Sequence, residues 1–189
     1  MAAKRKTTKM QKKKRWFNVV APQEFKSVSL GETPALEPDN LKGRTFKLNL
    51  MTITKDMKKQ SFSVKFRTTE VKGNDVHTEL IRYEMGNVHV KRVVKKGKDK
   101  VDDSFVVQTK DGVKVRLKPL LITRNKVQNS VKTTLRKSVR ELLQEQFKQK
   151  DYSQVVTALI RYELQSKIKS EMKKVYPLAF VEFRVFEKL

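Results

Sequence analysis

The side chains best suited to acid–base or metal chemistry in this 189-residue chain are His77, His89, Asp99, Asp102 and Asp103. A catalytic centre needs imidazoles and carboxylates that converge in one pocket. The two histidines, the only ones present, each fall in a strand-like setting with no partner at ligand spacing. The three aspartates could hold magnesium in a nuclease, but beside a lysine-rich loop they read as charge balance. The chain has no cysteine, which removes thiolate nucleophiles, disulfides and sulfur-ligated zinc. With six glycines it also lacks any G-x-x-x-x-G-K-[ST] or G-x-G-x-x-G phosphate cradle. The sequence predicts no catalytic residue, no metal and no cofactor.

The remaining chemistry is cationic. Lys and Arg number 44 against 20 acids, a formal charge of +24. Repulsion at that level opposes compaction unless anions neutralise it. Nucleic acid is the densest cellular polyanion, and neutralising its phosphates releases counterions. An anionic membrane would require an apolar helical face beside the lysines, and no such face accompanies them. Neither a spanning apolar run nor a signal peptide is present, so the expected chain is soluble and intracellular. The RNP1 signature, the G-x-x-G loop and zinc-finger spacing are all missing, so binding is expected through phosphate and shape, with little base reading. A DNA-compacting protein shares the charge but should prefer duplex DNA, and the magnesium nuclease of Asp99, Asp102 and Asp103 should cleave RNA.

These cations need elements to hold them. Eight of the first fifteen residues are Lys or Arg and none is acidic, a basic arm that cannot pack and should be disordered when free. It runs directly into Trp16 and Phe17. The preferred reading is that these two anchor the arm's root in the core; the alternative is that Trp16 offers an RNA base a stacking platform. Residues 29–40 read as a loop or edge connection. From residue 44 the period is two: Phe46, Leu48 and Leu50, then Phe62, Val64 and Phe66, with Lys47, Lys65 and Arg67 turned to solvent or a partner. "VKGNDV" is a turn and "VHTELIRYEM" a further strand. "SFVVQT" and "VKVRLKPLL" form a hairpin through Lys110, Asp111 and Gly112. Residues 87–97 fit either a strand or a helix.

After Ser130, read as an N-cap, Val131, Leu135, Val139, Leu142, Leu143 and Phe147 make one helical apolar face. A second helix starts at Asp151, boxed by Gln154, and continues through Met172 and Val175 with a break near Arg161, until Tyr176-Pro177 stops it. "AFVEFRVFEKL" suggests a last strand. The organisation expected is a basic arm at 1–15, a mainly β RNA-binding core at 16–128, and a helical pair plus final strand at 129–189 packed on that core. The nearly balanced charge of residues 151–189 marks them for packing.

Four pieces of this chain also resemble a known family in order and spacing: Trp16-Phe17-Asn18-Val19-Val20-Ala21-Pro22, Leu41-Lys42-Gly43-Arg44, the Lys110-Asp111-Gly112 turn followed by Arg116, and Tyr176-Pro177-Leu178. Together they resemble the small-subunit ribosomal protein S-three-Ae family, also called eS-one, of archaea and eukaryotes, over residues 4–189. The length is similar to that of the archaeal branch. The resemblance implies an α+β fold, a β-barrel-like antiparallel sheet with flanking helices. It also implies a structural, non-catalytic role in the cytoplasmic ribosome, on the small-subunit platform near the messenger exit and the 3′ end of the small-subunit rRNA. The region of "NVHVKRVVKKG" tends to be helical in that family. The implied partners are small-subunit rRNA, neighbouring platform proteins and messenger near the exit, with no membrane and no homo-oligomer. From charge, the arm contacts expected on phosphate are Lys4, Arg5, Lys6, Lys12, Lys13, Lys14 and Arg15. The folded patch expected is Arg44, Lys91, Arg92, Lys95, Lys96, Arg116, Lys118, Arg124 and Lys126.

Overall fold

Alternating apolar residues write most of the sheet. The computed structural model describes residues 13–189. In order, the strands are β1 (Arg15–Val20), β2 (Ser29–Ala35), β3 (Thr45–Asn49), β4 (Phe62–Lys72), β5 (Asp75–Met85), β6 (Lys100–Asp102), β7 (Phe105–Gln108), β8 (Lys114–Thr123) and β9 (Leu178–Lys188). The helices are α1 (Leu50–Thr54), α2 (Asn87–Val93), α3 (Asn129–Gln149), α4 (Tyr152–Ile160) and α5 (Glu163–Met172). Along β4, Phe62, Val64 and Phe66 are buried while Arg67 is exposed, as the period of two requires. Asp111 and Gly112 close the β7–β8 hairpin, where Gly112 takes φ 78°, a backbone angle glycine tolerates without strain.

The sheet follows the path β2-β1-β5-β9-β8-β6, with β4 and β3 on the other edge of β5 and β7 beside β6 on β8. One edge of β5 is shared: β1 pairs in parallel with residues 75–77, and β9 pairs antiparallel with residues 82–84. The α+β class is the one expected, and the sheet is open: among the described residues no pairing joins β3 to β6 or β7. Helices bury the inner face, so closure is not needed to remove apolar surface from water. Leu135, Val139, Leu143 and Phe147 of α3, Val155, Val156 and Leu159 of α4 and Ile168 of α5 share one cluster with Phe66, Leu117, Phe183 and Phe186. A smaller cluster gathers Phe17, Val19, Ala35, Leu41 and Val76.

Several local expectations shift. Residues 29–35 form a paired edge strand, with Pro34 on it where a missing N–H is tolerated. Residues 87–93 are helical. Helix α3 begins one residue before Ser130, and its N-cap is Gln128, without a side-chain cap. The reason lies next door: the Val127 N–H is held by the Asp99 carboxylate at 2.8 Å, fixing where the chain turns into the helix. The capping box of Asp151 and Gln154 is present. The break lies at Arg161 and Tyr162, the latter at φ 62°, and separates α4 from α5. Met172 is the last helical residue, and Val175 lies beyond it, 40% exposed.

Candidate nucleic-acid interface

The sheet face that no described helix covers carries an ordered row of charge. Register places Lys47 of β3 opposite Lys65 of β4, Lys65 opposite Arg82 of β5, Arg82 opposite Glu187 of β9, and Glu187 opposite Arg116 of β8. This is one continuous row across five strands. The next row on the same face includes Ser63, Glu84 and Lys118. Five cations, Lys47, Lys65, Arg82, Arg116 and Lys118, thus face two carboxylates. Glu187 accepts from Arg82 at 3.0 Å and lies 3.8 Å from Arg116; Glu84 lies 3.3 Å from Arg82 and 3.8 Å from Lys47. These partly exposed pairs contribute on the order of 1 kcal/mol each, so they orient the guanidinium groups more than they stabilise the fold. Lys65 and Lys118 have no carboxylate partner among the described residues.

Two clefts continue this surface. One of about 570 Å³ is lined by Lys118, Arg136 and Arg184 with Asp102 and Asp103. The other, about 380 Å³, is lined by Lys47, Asn49, Ser63, His89 and Arg92, so it joins the cationic row to α2. Of the expected patch, Arg116 and Lys118 therefore lie on the β8 end of this face, and Arg92 borders its β3 end. Lys91, Lys95 and Lys96 are exposed on and after α2. Arg124 and Lys126 are exposed past the end of β8. That ten-residue strand, at about 3.3 Å per residue, sets Arg124 roughly 25 Å from Arg116. Asp99 straps the loop after α2 to this same end: it accepts from the Val127 N–H, and its carboxylate sits 3.1 Å from the Lys132 ammonium. The expected patch is therefore two patches, at mid-sheet and at the end of β8.

Arg44 behaves differently. Its guanidinium donates to Thr33 Oγ1 at 3.0 Å, to the Pro34 carbonyl at 3.1 Å and to the Asn40 carbonyl at 3.1 Å, holding the 38–41 turn against β2. Lys4, Arg5, Lys6 and Lys12 lie outside the described residues, while Lys13, Lys14 and Arg15 are exposed at the start of β1. The anchor reading of the Trp16-Phe17 pair is corrected for Trp16. Strand alternation sends neighbouring side chains to opposite faces, so Phe17 is 4% exposed and Trp16 is 61% exposed, opposite Pro34. Phe17 alone anchors the root.

The acidic and histidine candidates are occupied by structure. Burial first, and then the Arg92 charge, hold the His89 imidazole below its usual range; the ring sits 6.1 Å from that of Phe62 and 6.0 Å from that of Phe180. His77 is exposed on β5. Asp99 is kept below the usual carboxylate range by the Val127 N–H and then by Lys132. Asp102 pairs with Lys100 at 2.8 Å, and Asp103 accepts twice from Arg140 at 3.2 and 2.8 Å. Each carboxylate is bound to a different cation, so they do not converge on a magnesium ion. No group of three potential ligands is placed to hold a metal among the described residues, nor is any described helix long and apolar enough to cross a membrane.

Lys47 and Lys65 were legible as wet-face residues, but their alignment with Arg82 and Arg116 was not. Period-two spacing tells which face a residue takes; it does not tell which strands are neighbours. Arg136 and Arg184 carried no signal beyond charge.

The sequence matches known proteins over nearly its whole length. A family model described as the Ribosomal S3Ae family matches residues 2–189. The protein named small ribosomal subunit protein eS1 in Nanoarchaeum equitans is 35% identical, covering 93% of this chain and 88% of that protein. Its namesake in Haloarcula marismortui is 31% identical over 96% of this chain and 85% of that protein. The Methanothermobacter thermautotrophicus protein of the same name is 30% identical over 99% and 97%.

Proposed function

Because the chain belongs to the Ribosomal S3Ae family, we propose that its helix-free sheet face, with the basic arm, binds small-subunit rRNA through phosphate contacts. Membership makes the chain a structural constituent of the small ribosomal subunit and not an enzyme. The observation that carries the rRNA reading is the single row Lys47, Lys65, Arg82, Arg116, with Lys118 beside it, on a face that no described helix covers. A rigid sheet presents these charges at fixed spacing, which suits a phosphate backbone better than it suits base edges. Exposed Trp16 beside Lys14 and Arg15 adds a stacking surface at the arm's root. The finer placement, on the platform near the messenger exit and the rRNA 3′ end, with platform proteins and messenger as neighbours, belongs to the same proposal and rests on family membership.

Salt titration of binding tests it. The full chain, a chain lacking residues 1–12, and the triple variant Lys47→Gln, Lys65→Gln, Arg116→Gln are compared on small-subunit rRNA with duplex DNA as competitor. Each lost phosphate contact should flatten the log–log salt slope by roughly 0.7–0.9, so the triple variant should lose roughly 2 to 3 in slope. An unchanged slope removes the sheet face from the interface, and preference for the duplex removes RNA as the partner.

A further inference from the structure

On the helix-bearing side of the sheet lies a cleft of about 550 Å³, between the 23–25 turn, α1 and α4. Its volume is within the range, about 300–1,000 Å³, of pockets that bury ligands. Phe25, Ile53 and Ile160 supply an apolar floor, and Lys26, Lys55, Lys59 and Arg161 a cationic rim against one lining carboxylate, Glu24. None of these residues belongs to the Lys47–Arg116 row or to the elements around Arg124, so an rRNA strand on those patches leaves this cleft unserved.

The backbone around the cleft is unusual. The non-glycine residues at positive φ among the described residues are Lys26 (61°), Ser27 (50°), Lys55 (56°) and Tyr162 (62°). Lys26 and Lys55 line the cleft, and Ser27 and Tyr162 each adjoin a lining residue. Lys26 closes the 23–25 turn and Lys55 closes α1. Both are positions where glycine relieves the left-handed conformation. In each the chain carries a lysine instead, and both lysines lack a carboxylate partner among the described residues. Residues held in sparsely populated regions cluster at ligand clamps.

The floor discriminates between occupants. Phe25 is 4% exposed, and the Tyr162 ring has the Lys59 ammonium over it at 5.6 Å, so the lining offers no open aromatic face for an unstacked base, the usual means of holding single-stranded RNA. An apolar floor without an open aromatic face, under lysines, instead fits an aliphatic side chain flanked by carboxylates. We propose that this cleft docks an acidic, aliphatic-anchored peptide segment of a protein neighbour in the small subunit, an inference that rests on the chain's membership of that particle.

The test uses assembled small subunits carrying this chain with Lys55→p-benzoyl-phenylalanine, and separately with Lys65→p-benzoyl-phenylalanine on the opposite face, each irradiated and the adduct sequenced. The expected product at position 55 is a protein segment with at least two carboxylates within four residues of a Leu, Ile, Val or Met. Adding Lys26→Glu and Arg161→Glu should lower its yield by about tenfold or more through like-charge repulsion. An RNA adduct, a neutral or basic peptide, no adduct, or a yield indifferent to the charge reversals overturns the proposal. The adduct at position 65 reports on the rRNA face alone, so the two readings fail separately.

Discussion

Replacing Glu182 with glutamine should remove the loss of stability that its carboxyl causes as pH rises from 5 to 8. Glu182 sits on β9 between Val181 and Phe183 and is 3% exposed. Its Oε1 accepts from the Tyr83 hydroxyl at 3.3 Å and from Gln165 Nε2 at 3.2 Å. Burial pushes its carboxyl from 4.5 up to about 7, against the opposing pull of those two donors. The folded chain therefore keeps a proton between pH 4.5 and about 7 that the unfolded chain releases. By linkage, stability is fully present below 4.5 and falls as pH rises, the fall ending once pH passes the folded value. At 1.36 kcal/mol per pH unit, the interval amounts to about 3 kcal/mol. Glu182→Gln keeps an oxygen acceptor for Tyr83 and Gln165 but cannot ionise. Urea unfolding of both proteins at pH 5 and pH 8 checks this. With an m-value of about 2 kcal/mol/M, the wild-type midpoint should drop by up to roughly 1.5 M relative to the variant. His89 acts in the opposite sense, because its imidazole is held low, but it is common to both proteins and cancels in the difference. Parallel pH dependence in the two proteins would refute the buried-carboxyl reasoning.

The edge and loop contacts give simpler outcomes. Phe17→Ala, which empties the cluster with Val19, Leu41 and Val76, should cost about 3 kcal/mol in urea unfolding. Trp16→Ala should change stability by under about 0.5 kcal/mol, and if a base stacks there rRNA affinity falls by about 1–3 kcal/mol. With magnesium present the chain should leave an RNA substrate intact by gel assay. Asp103→Asn, which releases the exposed Arg140, should lower stability by under about 1 kcal/mol.

Much of the fold could be read along the chain, because its signals are local. Alternation marked β3, β4, β5, β8 and β9; Asp111-Gly112 marked the hairpin; Asp151 with Gln154 marked the start of α4. The short element at 87–93 could not be settled by period, since seven residues satisfy two periods almost equally. Ser130 misled because Asp99, some thirty residues earlier, decides where α3 begins by holding Val127. Trp16 misled because hydrophobicity alone does not say which of two adjacent strand residues faces the core.

By itself the sequence determined a charge of +24 that calls for neutralising anions, that the protein works without cysteine chemistry, and that strands precede a helical segment and return at the end. Those follow from composition and from periods only a few residues long. Tertiary structure decided that β9 slides between β5 and β8, that Glu187 thereby lands between Arg82 and Arg116, and that Lys47 and Lys65 complete their row. It also decided that the three aspartates are bound to Lys132, Lys100 and Arg140. The reason is that a strand's neighbours are chosen by long-range burial and register. A slip of one residue would turn every one of these charges to the other face.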